Sequence, residues 1–122
     1  MPSVPHLLLI SSYLPEVRQS LSEFGDGSPA PFLDVDPGVG TFGSDAADHL
    51  ARQSLQVTGQ PLGAAAWQQV ASTYLVCAQD RGTPARLQRE FARRAGNVVE
   101  LDTGHHPFLS QPAAVRDLLL GL

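Results

Sequence analysis

Residues Ser72-Thr73-Tyr74-Leu75-Val76-Cys77-Ala78-Gln79-Asp80, and further on Gly104-His105-His106-Pro107-Phe108-Leu109-Ser110, decide how this chain reads. Thr73 to Ala78 is a β-branched, aromatic and apolar run too short for a helix, so it reads as a buried strand. Asp80-Arg81-Gly82 turns out of it, and Thr83-Pro84 predicts an N-cap followed by proline in the first helical position. On the helix that follows, Leu87, Phe91 and Ala95 recur at four-residue spacing, with Arg86, Arg89, Arg93 and Arg94 on the other faces. Gly96 is expected to close that helix as a left-handed cap, and Val98-Val99-Glu100-Leu101 gives the next strand. One carboxylate and one imidazole therefore lie just past the ends of two successive strands.

Working outward, His6-Leu7-Leu8-Leu9-Ile10 is a second short apolar run, bounded by Pro5 and by Ser11-Ser12, and reads as a strand buried on both faces. Pro15 to Phe24 can hold a short helix. Gly25 to Gly43 is rich in Gly, Pro and Asp without a period of either kind, and a long loop of that sort inside a small domain is often a functional lid. From Ser44 the pattern turns helical, with Ala47, Leu50, Ala51 and Leu55 on one stripe and His49 off it as a solvated histidine. Ala64 to Val70 predicts another short helix. Ser110 is expected to cap a last helix with Pro112 in its first turn and Val115, Leu118 and Leu119 on its buried face.

The order is strand, lid-like insertion, strand, helix, strand, helix. That alternation predicts an α/β fold of three layers, a short parallel sheet of about three strands flanked by helices. We expect one domain: a first strand at 6–10, a cap or lid-like insertion at 13–70, and a strand-helix-strand-helix core at 71–122.

The composition narrows the function. The chain of 122 residues is 43% apolar and 16% charged, and its formal charge of −4 comes from 12 acidic residues against 8 arginines, with no run of like charge. Nucleic acid and anionic membranes are therefore not expected as partners. No segment reaches the ~20 apolar residues of a membrane span, and the N-terminus lacks the basic start of a signal peptide, so a cytoplasmic location is expected. The single cysteine, Cys77, lies mid-strand and reads as a small buried hydrophobe. No metal is expected, because His105 and His106 are adjacent while His6 and His49 lie in other segments. No cofactor is expected either: Gly38 and Gly40 follow no strand and make no phosphate loop.

In a parallel sheet, ligands bind outside the carboxyl ends of the strands. Strands ~4.8 Å apart can bring Asp80 and His105 into hydrogen-bond range. A carboxylate on Nδ1 orients an imidazole and leaves Nε2 to move a proton. Each residue also has a plainer reading, Asp80 as a turn former before a helix and His105 as a loop histidine. Ser11 and Ser12, past the first strand at the same edge, suit capping or turn roles and are the first candidates for polar substrate contacts. Trp67 reads first as a packing anchor and second as a substrate contact. His106 projects differently from His105 and completes the set of candidates.

With these motifs in place, residues 67 to 122 resemble the C-terminal part of the α/β-hydrolase superfamily. The likeness is greatest to the branch with salicylate methylesterases, methylketone synthases and hydroxynitrile lyases. The resemblance implies that Asp80 matches the triad aspartate and His105 the catalytic histidine. Leu7-Leu8-Leu9-Ile10 to Leu14-Pro15, with Gln19-Ser20-Leu21, resembles the strand after the nucleophile elbow and the entry to the cap. About half of the family's domain is covered, and no Gly-x-Ser-x-Gly turn occurs in the 122 residues. Three functions are then open. One is an Asp80-His105 acid/base enzyme acting on a small organic metabolite, such as a polyketide or an ester. Another is the C-terminal subunit of a split serine hydrolase, and the last is a non-catalytic binding remnant. Leu7 to Ile10, left as a sheet edge, invites a homodimer or heteromer that continues the sheet.

Overall fold

The structure, a computed structural model, describes residues 3–25, 33–36, 38, 41–44 and 51–122. In chain order the strands are β1 (Leu7–Ile10), β2 (Leu33–Asp36), β3 (Thr41–Ser44), β4 (Gln53–Ser54), β5 (Ser72–Cys77) and β6 (Asn97–Leu101). The helices are α1 (Gln56–Gly59), α2 (Ala85–Ala92), α3 (Pro107–Ser110) and α4 (Pro112–Leu120), with 3-10 turns at Leu21–Glu23 and Ala66–Gln68. The chain divides into two compact units, Met1–Leu14 with Ala65–Leu122, and Pro15–Ala64.

The first unit is built on a parallel sheet of order β1-β5-β6, flanked by helices. Leu7 pairs with Ser72 and Ile10 with Leu75; Thr73 pairs with Asn97 and Cys77 with Leu101. β5 lies in the middle, and all six of its residues are buried. Tyr74, Leu75, Val76 and Cys77 have no exposed surface at all, as the unbroken apolar run requires. At about 1.5–3 kcal/mol for each large side chain removed from water, this strand anchors the core. β1 is only half-buried along its length, as an edge strand is. β6 is the other edge, with Val98 54% exposed.

Helix α2 lies against β5 through Phe91 and Ala92, both buried. The segment after β1 closes over the same helix. Tyr13 meets the Phe91 ring edge-on at 5.5 Å, and Arg94 donates to the carbonyl of Leu14 at 2.6 Å. On the outer side Arg89 grips Glu100 with two hydrogen bonds, 2.6 and 3.1 Å, tying α2 to β6.

Several local expectations are corrected. Gly96 does not adopt a left-handed φ, since Gly25 is the glycine with positive φ among the described residues. It is needed for close approach instead: a Cβ there would stand 3.2 Å from the carbonyl oxygen of Ser72. Pro84, with ψ 138, is still extended and precedes the helix, so α2 starts at Ala85 and Thr83 does not cap it. Ser110 ends the single turn of α3, and Gln111 precedes α4. Val115 is buried there as expected, but Leu119 is 52% exposed.

In the second unit, β2, β3 and β4 form an antiparallel sheet, with Asp36 opposite Thr41 and Phe42 opposite Gln53. The stretch read as a loop without a period thus contains two strands among its described residues. The short alternation Leu33-Asp34-Val35-Asp36 is too brief to outweigh the Gly and Pro around it. Ser44 ends β3 and Gln53–Ser54 is strand, so the helical stripe expected to reach Leu55 does not extend there, and the described helix after it is the one turn of α1. His49, Ala47, Leu50 and much of the expected lid lie outside the described residues. The expected helix between Pro15 and Phe24 shrinks to the 3-10 turn. Around it Arg18 and Leu62 exchange backbone bonds with their partner segments: Arg18 N–H to Leu62 C=O, and Leu62 N–H to Gln19 C=O, each 2.8 Å.

Candidate active site

β5 and β6 run in register to Cys77 and Leu101, and their backbones stay bonded beyond the strand ends. Ala78 N–H donates to Leu101 C=O and Gln79 N–H to Thr103 C=O, each at 2.9 Å. The two loops therefore leave the sheet side by side. Asp80 sits on one and His105 on the other, and Nδ1 of His105 lies 2.6 Å from Oδ2 of Asp80. The aspartate side chain is wholly buried, whereas that of His105 is 31% exposed.

The carboxylate is held on every side. Oδ1 accepts the N–H groups of Gly82 at 2.7 Å and Thr83 at 2.8 Å, while Oδ2 accepts Nε2 of Gln88 at 2.8 Å as well as the histidine. Asp80 thus makes the turn into α2 with one oxygen and the contact to His105 with the other, so its turn role leaves it able to meet the histidine. Three N–H donors and the histidine nitrogen thus surround the two oxygens of this one carboxyl group.

Nearby groups respond to this charge. Burial pushes the Cys77 thiol above its ordinary pKa and the Asp80 charge pushes it further, with the Ser11 hydroxyl opposing. Tyr74 is raised strongly, by burial first and then by the charges of Cys77 and Asp80. Tyr13 is raised by burial and by Asp80. These are groups within reach of the Asp80 charge, and removing their protons would add charge to a buried, already negative spot.

Of the other sequence candidates, Ser11 comes to the pair. It is 4% exposed, its N–H extends the β1–β5 ladder to Leu75 C=O at 3.1 Å, and its hydroxyl donates to the carbonyl of His105 at 3.1 Å. Its φ of 45 lies in the left-handed region, the sharp exit from β1 that aims the hydroxyl across the sheet. Ser12 serves the turn, donating to Tyr13 C=O at 2.9 Å while its own carbonyl accepts the Tyr74 hydroxyl. The exposed ring of His106 lies 4.9 Å from that of His105 and 5.3 Å from Phe108. Trp67 is half-buried in the 3-10 turn that leads to the amino end of β5, whereas Asp80 and His105 follow carboxyl ends.

Gln88 was not legible as a site residue. It is fully buried on α2. The available signal was its place beside Leu87 and one turn before Ala92, within the width of the apolar face. A surface hollow of about 390 Å³ lined by His6, Thr73, Asn97, Val99 and Leu118 sits at the amino ends of the strands, opposite the Asp80–His105 pair.

Comparison with known proteins agrees with this architecture. Residues 2–118 match the profile of the alpha/beta hydrolase family. An alpha/beta hydrolase of Aspergillus novofumigatus, nvfD, is 35% identical over 69 residues, 54% of this chain and 28% of that protein. A pyrethroid hydrolase from Sphingobium faniae superimposes with a TM-score of 0.71 at 16% identity, covering 96% of this chain and 60% of its own. A polyneuridine aldehyde esterase mutant gives 0.67 at 17% identity, covering 96% and 61%. The chain thus spans under a third of the curated relative and about three-fifths of the solved ones. Its parallel sheet carries Asp80 and His105 at adjacent carboxyl ends within a match over nearly its whole length, and the chain belongs to the alpha/beta hydrolase family.

Proposed function

We propose that this chain is a hydrolase-like enzyme that uses Asp80 and His105 for general acid/base chemistry on a small organic molecule, by hydrolysis, proton abstraction, elimination or cyclisation. The observation that carries this reading is the 2.6 Å contact between Nδ1 of His105 and a buried carboxylate. With Nδ1 bound to Asp80, Nε2 is the nitrogen that takes up a proton from water or substrate, and the carboxylate stabilises the imidazolium that results. Positioned general-base catalysis contributes about 10²- to 10⁴-fold, which suits an activated ester or an acidic C–H better than a plain ester. The words hydrolase and esterase in the names of the solved relatives support an ester as the first substrate class to try. A cytoplasmic setting accords with the single, buried thiol.

The test is turnover of p-nitrophenyl acetate and longer p-nitrophenyl esters by the wild type and by His105→Ala. A loss of 10²-fold or more in a folded variant supports the reading. Equal rates in both proteins refute it and favour a non-catalytic binding role.

A second reading is favoured by β1, whose outer edge has no strand beside it among the described residues. An apolar edge of this kind pairs with another strand. A partner chain, or a second copy, would then continue the sheet, and a partner bearing a serine would supply the nucleophile. Native mass measurement of the purified complex distinguishes one chain, two copies and a mixed assembly.

A further inference from the structure

A glutamine side chain in a protein core is costly unless its donors and acceptor are all matched. Gln88 has no exposed surface, and every polar atom of its amide is matched. Oε1 accepts the N–H of Cys77 at 2.8 Å. Nε2 donates to Thr83 C=O at 2.7 Å and to Oδ2 of Asp80 at 2.8 Å, with Cys77 C=O farther off at 3.4 Å. An amide nitrogen has two protons, so the two short contacts use them. The amide can sit only one way round: flipped, its oxygen would face a carbonyl and a carboxylate, and its NH₂ would face an N–H.

Part of this network is structural. Leu75 C=O takes the N–H of Ser11, the last ladder bond on the β1 side of β5. Two residues on, the Cys77 N–H finds its acceptor in Gln88 and not in a strand. That contact explains a polar residue at position 88. It does not require the other end of the amide to reach Asp80.

We propose that Gln88 is a positioning residue for the Asp80–His105 pair. It binds the carboxylate oxygen that faces His105, while the turn N–H groups of Gly82 and Thr83 hold the other oxygen. The carboxylate is pinned at both oxygens, so its plane cannot rotate away from Nδ1. A fixed acceptor at Nδ1 keeps the neutral imidazole in the tautomer protonated there, with Nε2 as the base. This assignment rests on the acid/base reading above, and its test separates the two.

The first variant is Gln88→Leu, which fills the space and donates nothing. Its direct readout is the long-range ¹H–¹⁵N spectrum of His105, which reports the tautomer without any substrate. We expect a shift from a single Nδ1–H form to a mixture, and a fall of about 10- to 100-fold in kcat on p-nitrophenyl acetate with KM within about 2-fold. The second variant, Gln88→Glu, keeps an acceptor for Cys77 N–H and serves if Gln88→Leu does not fold. When protonated it also keeps a donor for Asp80, so, compared with wild type at the same pH and with the imidazole neutral, its tautomer and rate should match while the added carboxyl holds its proton and worsen as that carboxyl ionises. The other titratable groups around this oxygen are His105, Cys77, Tyr13 and Tyr74, and they are the same in both proteins, so a new step in the profile belongs to position 88. An unchanged His105 spectrum in whichever variant folds, with no new pH step in Gln88→Glu, overturns the assignment. Inactive wild type with a changed spectrum would sink the acid/base reading and leave the positioning role standing.

Discussion

The hydroxyl of Ser11 donates to the backbone carbonyl of His105 over 3.1 Å, joining the end of β1 to the histidine loop across 94 positions of sequence. Ser11 itself is buried and the bond part-buried, and leaving such a carbonyl unsatisfied costs up to about 1–3 kcal/mol. Ser11→Ala should therefore lower unfolding free energy by about that much in urea titration. A loss under about 0.5 kcal/mol would mean that the carbonyl is served by water.

Asp80→Asn tests the carboxylate. The turn requires an oxygen at the Oδ1 position, so the new NH₂ must occupy the Oδ2 position, facing Gln88 Nε2 and His105 Nδ1. Donor then meets donor, and His105 is driven to carry its proton on Nε2, the wrong nitrogen for a base. The expected result is a 10²- to 10⁴-fold lower kcat with the fold retained, the range that loss of a tautomer-setting carboxylate produces. Steady-state kinetics with circular dichroism checks it, and activity within threefold of wild type would contradict it.

Gly96→Ala places a methyl 3.2 Å from Ser72 C=O, where backbone must give way. Overpacking of this kind costs about 1 kcal/mol or more. A lower thermal midpoint is expected, with unchanged chemistry at Asp80 and His105.

Stability should fall at alkaline pH through Cys77. The unfolded thiol loses its proton above about pH 8.5, while burial and the Asp80 charge keep the folded thiol protonated to higher pH. In that interval the folded state binds more protons than the unfolded one, so stability drops as pH rises. Below the interval this contribution is constant. Denaturation curves from pH 7 to 10.5 should show the decline, and Cys77→Ala should remove its first part, leaving the later part from the raised Tyr13 and Tyr74. For the same reason the native thiol should react slowly with Ellman's reagent and fast in denaturant. Rapid labelling of folded protein would contradict the buried placement.

Local pattern carried the parallel sheet well. The run from Thr73 to Cys77, the short apolar run at Leu7 to Ile10 and the Leu87–Phe91 spacing each announce their element from a few neighbouring residues. Between Gly25 and Ser54 the pattern fails, because strands of two to four residues leave too few positions to show a period, and their pairing lies between segments. Gly96 shows the other kind of failure. Its position past a helix suggests a cap, whereas its reason is the Ser72 backbone, 24 residues away.

By itself the sequence determined the strands of the parallel sheet, the helix between β5 and β6, and the placement of Asp80 and His105 just past successive strand ends, since these follow from short-range periodicity and turn chemistry. Only the tertiary structure decided which oxygen of Asp80 meets the histidine, that Gln88 reaches the same oxygen from α2, and that Ser11 holds the histidine loop. Those contacts depend on strand register and on burial, which are properties of residues far apart in the chain, and no local pattern records them.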